Sequence, residues 1–215
     1  MGGRGASSGG FAGGGGGGGN VDVQNTASLI SERERKAREV DQVLAVAREV
    51  ENRYGIDANV SDFQIATLGG ADAAHCMAYY DAGGNLAVNK NFFNANGMTT
   101  AYDKSVAAGF HPSRGNKTGM EAVVAHEMGH RLTDVAGQKA GNGFWSVDKT
   151  AGDIVKRAAT SLGYKKSGDL AKVISGYAGH NAAEAVAEAF SDVFCNGRNA
   201  KRESQAVVNE LNKYF

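Results

Sequence analysis

Between Val124 and Leu132 the chain reads Val-Ala-His-Glu-Met-Gly-His-Arg-Leu, which sets His126 and His130 four positions apart with Glu127 beside the first. On an α-helix, positions i and i+4 share one face, so both imidazoles reach the same point in space. Neutral imidazole nitrogen suits Zn2+, and two such ligands on one rigid turn supply half of a tetrahedral site. Zinc lowers the pKa of a bound water towards ~7, and a nearby carboxylate then takes the proton. The chemistry this trio points to is zinc-assisted hydrolysis, with His126 and His130 as ligands and Glu127 as general base. Val123, Val124, Ala125, Met128 and Leu132 surround the three. Burying three ionisable groups among such neighbours is costly unless a metal or a partner compensates.

A catalytic zinc site of this type takes one more protein ligand and leaves a position open. The metzincin pattern would require Gly at position 133 and His at position 136, and the chain has Thr133 and Ala136. His75, His111 and His180 fall in no comparable pattern and read as loop or surface histidines. A better source is the segment from Asn181 to Phe194, NAAEAVAEAFSDVF, which spaces Glu184, Glu188 and Asp192 four apart along one helical stripe. Like charges at that spacing repel by roughly a few tenths of a kcal/mol per pair. Alanine, valine and phenylalanine fill most of the other positions, so the stripe fits burial against a cation better than exposure.

HEMGH followed by Asp134, then Tyr177, then Glu184-x-x-x-Glu188-Ala-Phe, resembles the anthrax lethal factor-like zinc peptidases, a group that includes the clostridial Pro-Pro endopeptidases. The likeness runs from about Glu121 to Phe194. In that family a helix of the form E-F-F-A-E-A-F gives its first Glu to zinc, and a Tyr seven residues earlier points into the site. The resemblance therefore implies Glu184 as the third ligand and Tyr177 as a hydroxyl donor to the oxyanion of a tetrahedral intermediate. It leaves Glu188 and Asp134 as carboxylates that orient the ligating imidazoles. Ala185 and Val186 stand where the family carries aromatics. A second register stays open: Glu188-x-x-x-Asp192 is similar to the helix of thermolysin-like enzymes, which would make Glu188 the ligand and Asp192 its support.

These residues need elements to hold them. Thr118-x-x-Glu121 has the form of a capping box, so the motif helix opens near Thr118 and closes near Gly137. Further helices are predicted over Lys149–Leu162, Ala182–Phe194 and Asn199–Tyr214. Earlier in the chain, Val40, Val43, Leu44, Ala47, Val50 and Tyr54 recur at helical spacing, which predicts a helix over Ser28–Tyr54 stopped by Gly55. Short segments of strand character follow at Phe63–Leu68, Ala74–Tyr80 and Asn85–Phe93. The last two are joined by the turn Asp81-Ala82-Gly83-Gly84. Gly109 to Gly119 reads as loop and holds the only proline, Pro112.

Strands before helices predict an α+β fold, a small antiparallel sheet followed by a mostly helical half. The resemblance implies a zincin-like metallopeptidase domain, in which the strand Asn85–Phe93 serves as the substrate-aligning edge. Residues 1–20 are dominated by glycine and end in the run Gly13–Gly19, which predicts a flexible tail ahead of one domain over 21–215.

Composition narrows the function. Lys plus Arg and Asp plus Glu both number 23, so no excess of cations suits a nucleic-acid partner. No apolar run is long enough to span a membrane. Cys76 and Cys195 lie far apart without CxxC spacing, which speaks against a disulfide framework. No apolar stretch follows Arg4 as in a signal peptide, so the expected location is cytoplasmic or virion-associated. The expected function is a zinc-dependent endopeptidase acting on a protein or peptide. The alternatives are a phage-associated protein stapled by a structural zinc, and a toxin or effector domain. Glu127 speaks for the enzyme, because a structural zinc needs no general base.

Overall fold

The computed structural model describes residues 4–8, 22–24, 36–60, 63–69, 76–80, 85–142 and 147–215. The architecture is mixed α+β and mostly helical. Helix α1 covers Ala37–Tyr54 and buries Val43, Val46, Ala47, Val50 and Tyr54 on one face. Gly55 ends it in the left-handed region, at φ 62°, and its N–H bonds back to the carbonyl of Glu51. That conformation suits a residue without a Cβ. The expected start of this helix, at Ser28, lies outside the described residues.

Five strands form one sheet. They are β1 (Arg4–Ser8), β2 (Asp22–Gln24), β3 (Gln64–Gly69), β4 (Cys76–Tyr80) and β5 (Leu86–Asn89), in the spatial order β1-β4-β5-β3-β2. The β4–β5 pair is antiparallel with Tyr80 opposite Leu86, as a hairpin requires, although the turn 81–84 lies outside the described residues. The β3–β5 pair is parallel, with Gln64 aligned to Ala87, so the sheet is mixed rather than purely antiparallel. Every residue of β4 and β5 is buried.

Two expectations are corrected here. The strand at 86–89 is not an edge, because it pairs with β4 on one side and β3 on the other. Its run Leu-Ala-Val-Asn is buried throughout, which suits an interior strand. Nor is the glycine-rich start wholly irregular: Arg4–Ser8 pairs antiparallel with β4. These five residues include only one glycine, and the ladder of β4 supplies backbone partners for them. The rest of residues 1–20 lies outside the described residues.

The helical half consists of α2 (Ala95–Ala107), α3 (Gly119–Lys139), α4 (Val147–Ser161), α5 (Ser167–Ile174), α6 (Ala182–Asn196) and α7 (Arg202–Leu211), with short 3-10 turns on both sides of α7. Sequence periodicity does not pick out α2, whose Gly97 and paired threonines weaken the helical signal. It forms because Asn94 caps it, accepting a bond from the Gly97 N–H at 2.9 Å, and because Met98 and Tyr102 enter the core. The capping box of α3 is complete: Thr118 Oγ1 accepts from the Glu121 N–H, and the Glu121 carboxylate accepts from the Thr118 N–H at 2.7 Å.

Helix α3 runs through the middle of the molecule, packed by α1, α2, α4, α6, β1 and β4. An unbroken buried stretch from Ala122 to His130 leaves that part of the helix no wet face. The closest approach is to α6. A Cβ at Gly129 would lie 2.7 Å from the Cα of Ala187 and 3.2 Å from the Cβ of Phe190, so only glycine permits this contact. Ser191 adds a hydroxyl bond to the Ala122 carbonyl at 2.9 Å. Gly129→Ala is expected to cost about 1–3 kcal/mol by overpacking. Denaturant midpoints check this cost. An alanine variant with parental stability would show that the two helices can part freely.

Candidate metal centre

The α3–α6 contact brings the predicted ligands together. His126 Nε2 and His130 Nε2 lie 3.2 Å apart. Glu184 Oε2, from the first turn of α6, lies 3.2 Å from His126 Nε2 and 3.4 Å from His130 Nε2. All three side chains are buried. A tetrahedral zinc ion held at about 2.0–2.1 Å from each ligand spaces those ligands about 3.3–3.4 Å apart. The triangle therefore has the dimensions of three corners of a zinc tetrahedron. Glu184 Oε2 lies outside hydrogen-bond geometry with either ring and has no hydrogen-bond partner among the described residues. A buried carboxylate oxygen in that condition is costly in a metal-free protein and natural for a ligand. The donor set fits zinc.

Asn181 caps α6 by accepting from the Glu184 N–H at 2.8 Å, which fixes the turn from which the Glu184 side chain projects. Glu188, one turn on, does a different job. Its Oε1 lies 2.7 Å from His126 Nδ1 and 2.9 Å from His111 Nδ1, and its Oε2 accepts the Ser175 hydroxyl at 2.7 Å. A carboxylate engaged by three groups on its far side holds the His126 ring with Nε2 turned towards Glu184 and His130. Asp192 lies away from the triangle, where it accepts from the Lys201 N–H at 3.0 Å and from Asn196 Nδ2 at 2.8 Å. It secures the start of α7 and offers nothing to a metal ligand, which removes the support the alternative register gave it.

Asp134, expected to orient His130, is buried, and Nδ1 of His130 has no hydrogen-bond partner among the described residues. Of the three remaining histidines, His180 is exposed and His75 lies outside the described residues. His111 is not a surface residue. It is buried, stacks on the Tyr102 ring with centroids 5.2 Å apart, and shares Glu188 with His126. The sequence offered one faint cue, its place beside Pro112 in a loop between helices. Its partner Glu188 lies 77 residues away, beyond the reach of any local pattern.

Tyr177 comes from the loop between α5 and α6. That loop is pinned to the segment before α3 by two backbone bonds, Gly176 N–H to the Gly109 carbonyl and Tyr177 N–H to the Phe110 carbonyl. Ser175 steadies it by accepting from the Ala178 N–H at 2.9 Å. The Tyr177 ring lies against His126, centroids 5.7 Å apart and 23° from parallel. Burial, then the charges of Glu184 and Glu127, hold its pKa well above the ordinary tyrosine value. Glu127 itself is fully buried, one residue along α3 from His126.

No family model, curated protein or solved structure matches this chain. The assignment of the site accordingly rests on its own geometry and charge. Burial alone would raise the pKa of Glu184, but His130 and His126 outweigh it and bring it down to about 2. Burial opposes a charged His126, but Glu184 and Glu188 outweigh it and raise its pKa well above 6.5. Glu188 is held well below the usual carboxylate range, against its burial, by His111 and His126. In the metal-free protein the cluster thus keeps positive charge on imidazole between ionised carboxylates.

A stability window follows. The Glu184 pKa is depressed, so its contribution is present above pH 4.5 and lost as pH falls towards 2. The His126 pKa is raised, so its contribution is full below pH 6.5 and lost as pH rises through the folded value. The zinc-free protein is expected to show its highest thermal midpoint between pH 4.5 and 6.5. A metal ion bound here would have to displace the His126 proton, so its stabilising effect would grow with pH. A zinc-free midpoint that climbs steadily above pH 6.5 would contradict this charge assignment.

Proposed function

We propose that this chain is a zinc-dependent endopeptidase of the zincin type, acting on a protein or peptide. The observation that carries the reading is the triangle of His126, His130 and Glu184, with edges of 3.2–3.4 Å, beside a buried Glu127 that such a site would use as a base. The resemblance of HEMGH, Tyr177 and Glu184-x-x-x-Glu188 to the lethal factor-like peptidases supports the same conclusion. No described helix is long and apolar enough to cross a membrane.

His126, His130 and Glu184 would hold the zinc. Bound there, the metal would polarise the scissile carbonyl and acidify a water molecule. Glu127 takes the proton from the attacking water and returns it to the leaving amine nitrogen. Tyr177 donates its hydroxyl to the carbonyl oxygen as that oxygen gains charge. Its raised pKa keeps the hydroxyl protonated at neutral pH, as a donor must be. Glu188, with His111 and Ser175 behind it, keeps His126 from turning during these steps.

Metal analysis of the purified, never-chelated protein tests the reading, followed by exposure to a diverse peptide mixture. One zinc per chain is expected, with hydrolysis that a chelator stops and added zinc restores. A folded sample without stoichiometric metal would defeat the whole proposal. A zinc-loaded sample that cleaves nothing would favour a zinc that only staples α3 to α6.

A further inference from the structure

In this sheet β4 would be an outer strand but for β1. Its inner side pairs with β5, and its outer side carries Arg4–Ser8 antiparallel, with Arg4 opposite Tyr80, Ala6 opposite Tyr79, Ser7 opposite Ala78 and Ser8 opposite Cys76. Both β1 and β4 pack against α3, the helix that bears His126, Glu127 and His130. Asn89 fixes the Cys76 end of β4 by donating to the Cys76 carbonyl at 2.7 Å. An open strand edge beside a hydrolytic centre is where an extended peptide binds, through backbone bonds that are indifferent to sequence.

We propose that Arg4–Ser8 is a self-supplied strand that fills the peptide seat on β4 and holds this chain in a self-blocked form. This rests on the peptidase reading above. A tethered segment competes at an effective concentration of about millimolar, which free peptides rarely reach. Substrate therefore enters only after β1 has left the edge, and anything that draws the N-terminal segment away raises activity. Backbone pairing sets the competition, so the blocked form does not require the segment to match the preferred cleavage sequence.

The test uses the full chain. Directly opposed residues of an antiparallel pair have Cα atoms about 4.5–5.5 Å apart, within disulfide range. In a Cys195→Ser background, Ser8→Cys is expected to form a disulfide with Cys76 on mild oxidation, read by mass spectrometry. Ser7→Cys, placed opposite Ala78, is expected to form far less. The locked Ser8→Cys protein should hydrolyse peptides at least about tenfold more slowly than the same sample after reduction. Alternate N–H groups of a strand face its neighbour, so the double change Ala6→Pro and Ser7→Pro removes a ladder donor whichever one it is. That variant is expected to exceed the parent rate. Absence of the disulfide overturns the placement of β1, and equal rates for the locked and reduced forms overturn the block. If the zinc-loaded protein cleaves nothing in any form, the peptidase reading falls and takes the block with it, while the disulfide yield separately decides where β1 sits.

Discussion

Glu184→Ala is expected to strip most of the zinc from the protein, whereas Glu188→Ala keeps it bound about 10–100-fold more weakly. The two residues sit one turn apart on the same buried helix and differ in what they face. Glu184 presents Oε2 to both Nε2 atoms, where its loss leaves two ligands of three. Glu188 addresses only the rear nitrogen of His126, so its loss frees the ring to rotate without removing a donor from the metal. Zinc content after dialysis against a weak chelator separates the cases. Thermal unfolding of the metal-free forms must accompany it, because Glu188→Ala also removes the buried carboxylate that His111 Nδ1 and the Ser175 hydroxyl share. Greater zinc loss for Glu188→Ala than for Glu184→Ala, at similar metal-free stability, would reverse the roles of the two carboxylates.

The contrast shows what was legible in the sequence. The motif helix could be read locally, because a capping box at Thr118 and an i, i+4 histidine pair are both short-range signals. The acidic stripe of α6 could be read for the same reason, since four-residue spacing on an apolar helix is unusual without a cation. The assignment of tasks within that stripe was not local. It depends on α3 and α6 meeting at Gly129, and on a loop 77 residues upstream delivering His111 to Glu188. The sheet was read least well. Periodicity found three strand segments, but strand order is set by pairings between distant residues, and nothing in Leu86–Asn89 alone says that both its sides are taken. Arg4–Ser8 was hidden by the glycines that follow it, because composition averages over the few residues that pair.

Glu127→Gln is expected to keep the zinc and to lower turnover by about 10²–10⁴-fold, the contribution of a positioned general base. Glutamine preserves the shape and burial of the side chain but cannot accept a proton at neutral pH. The residue belongs to the same turn of α3 as His126 and is wholly buried, yet the triangle of donors is complete without it. Zinc affinity should therefore change little, and the loss should appear in kcat. Tyr177→Phe makes the necessary comparison, because it removes only a hydroxyl and should cost about 10²–10³-fold as one oxyanion donor, again with zinc retained. Its stacking on His126 survives the change. A Glu127→Gln protein that cleaves at the parental rate would make the carboxylate structural, and one that loses its zinc would make it part of the metal's own support.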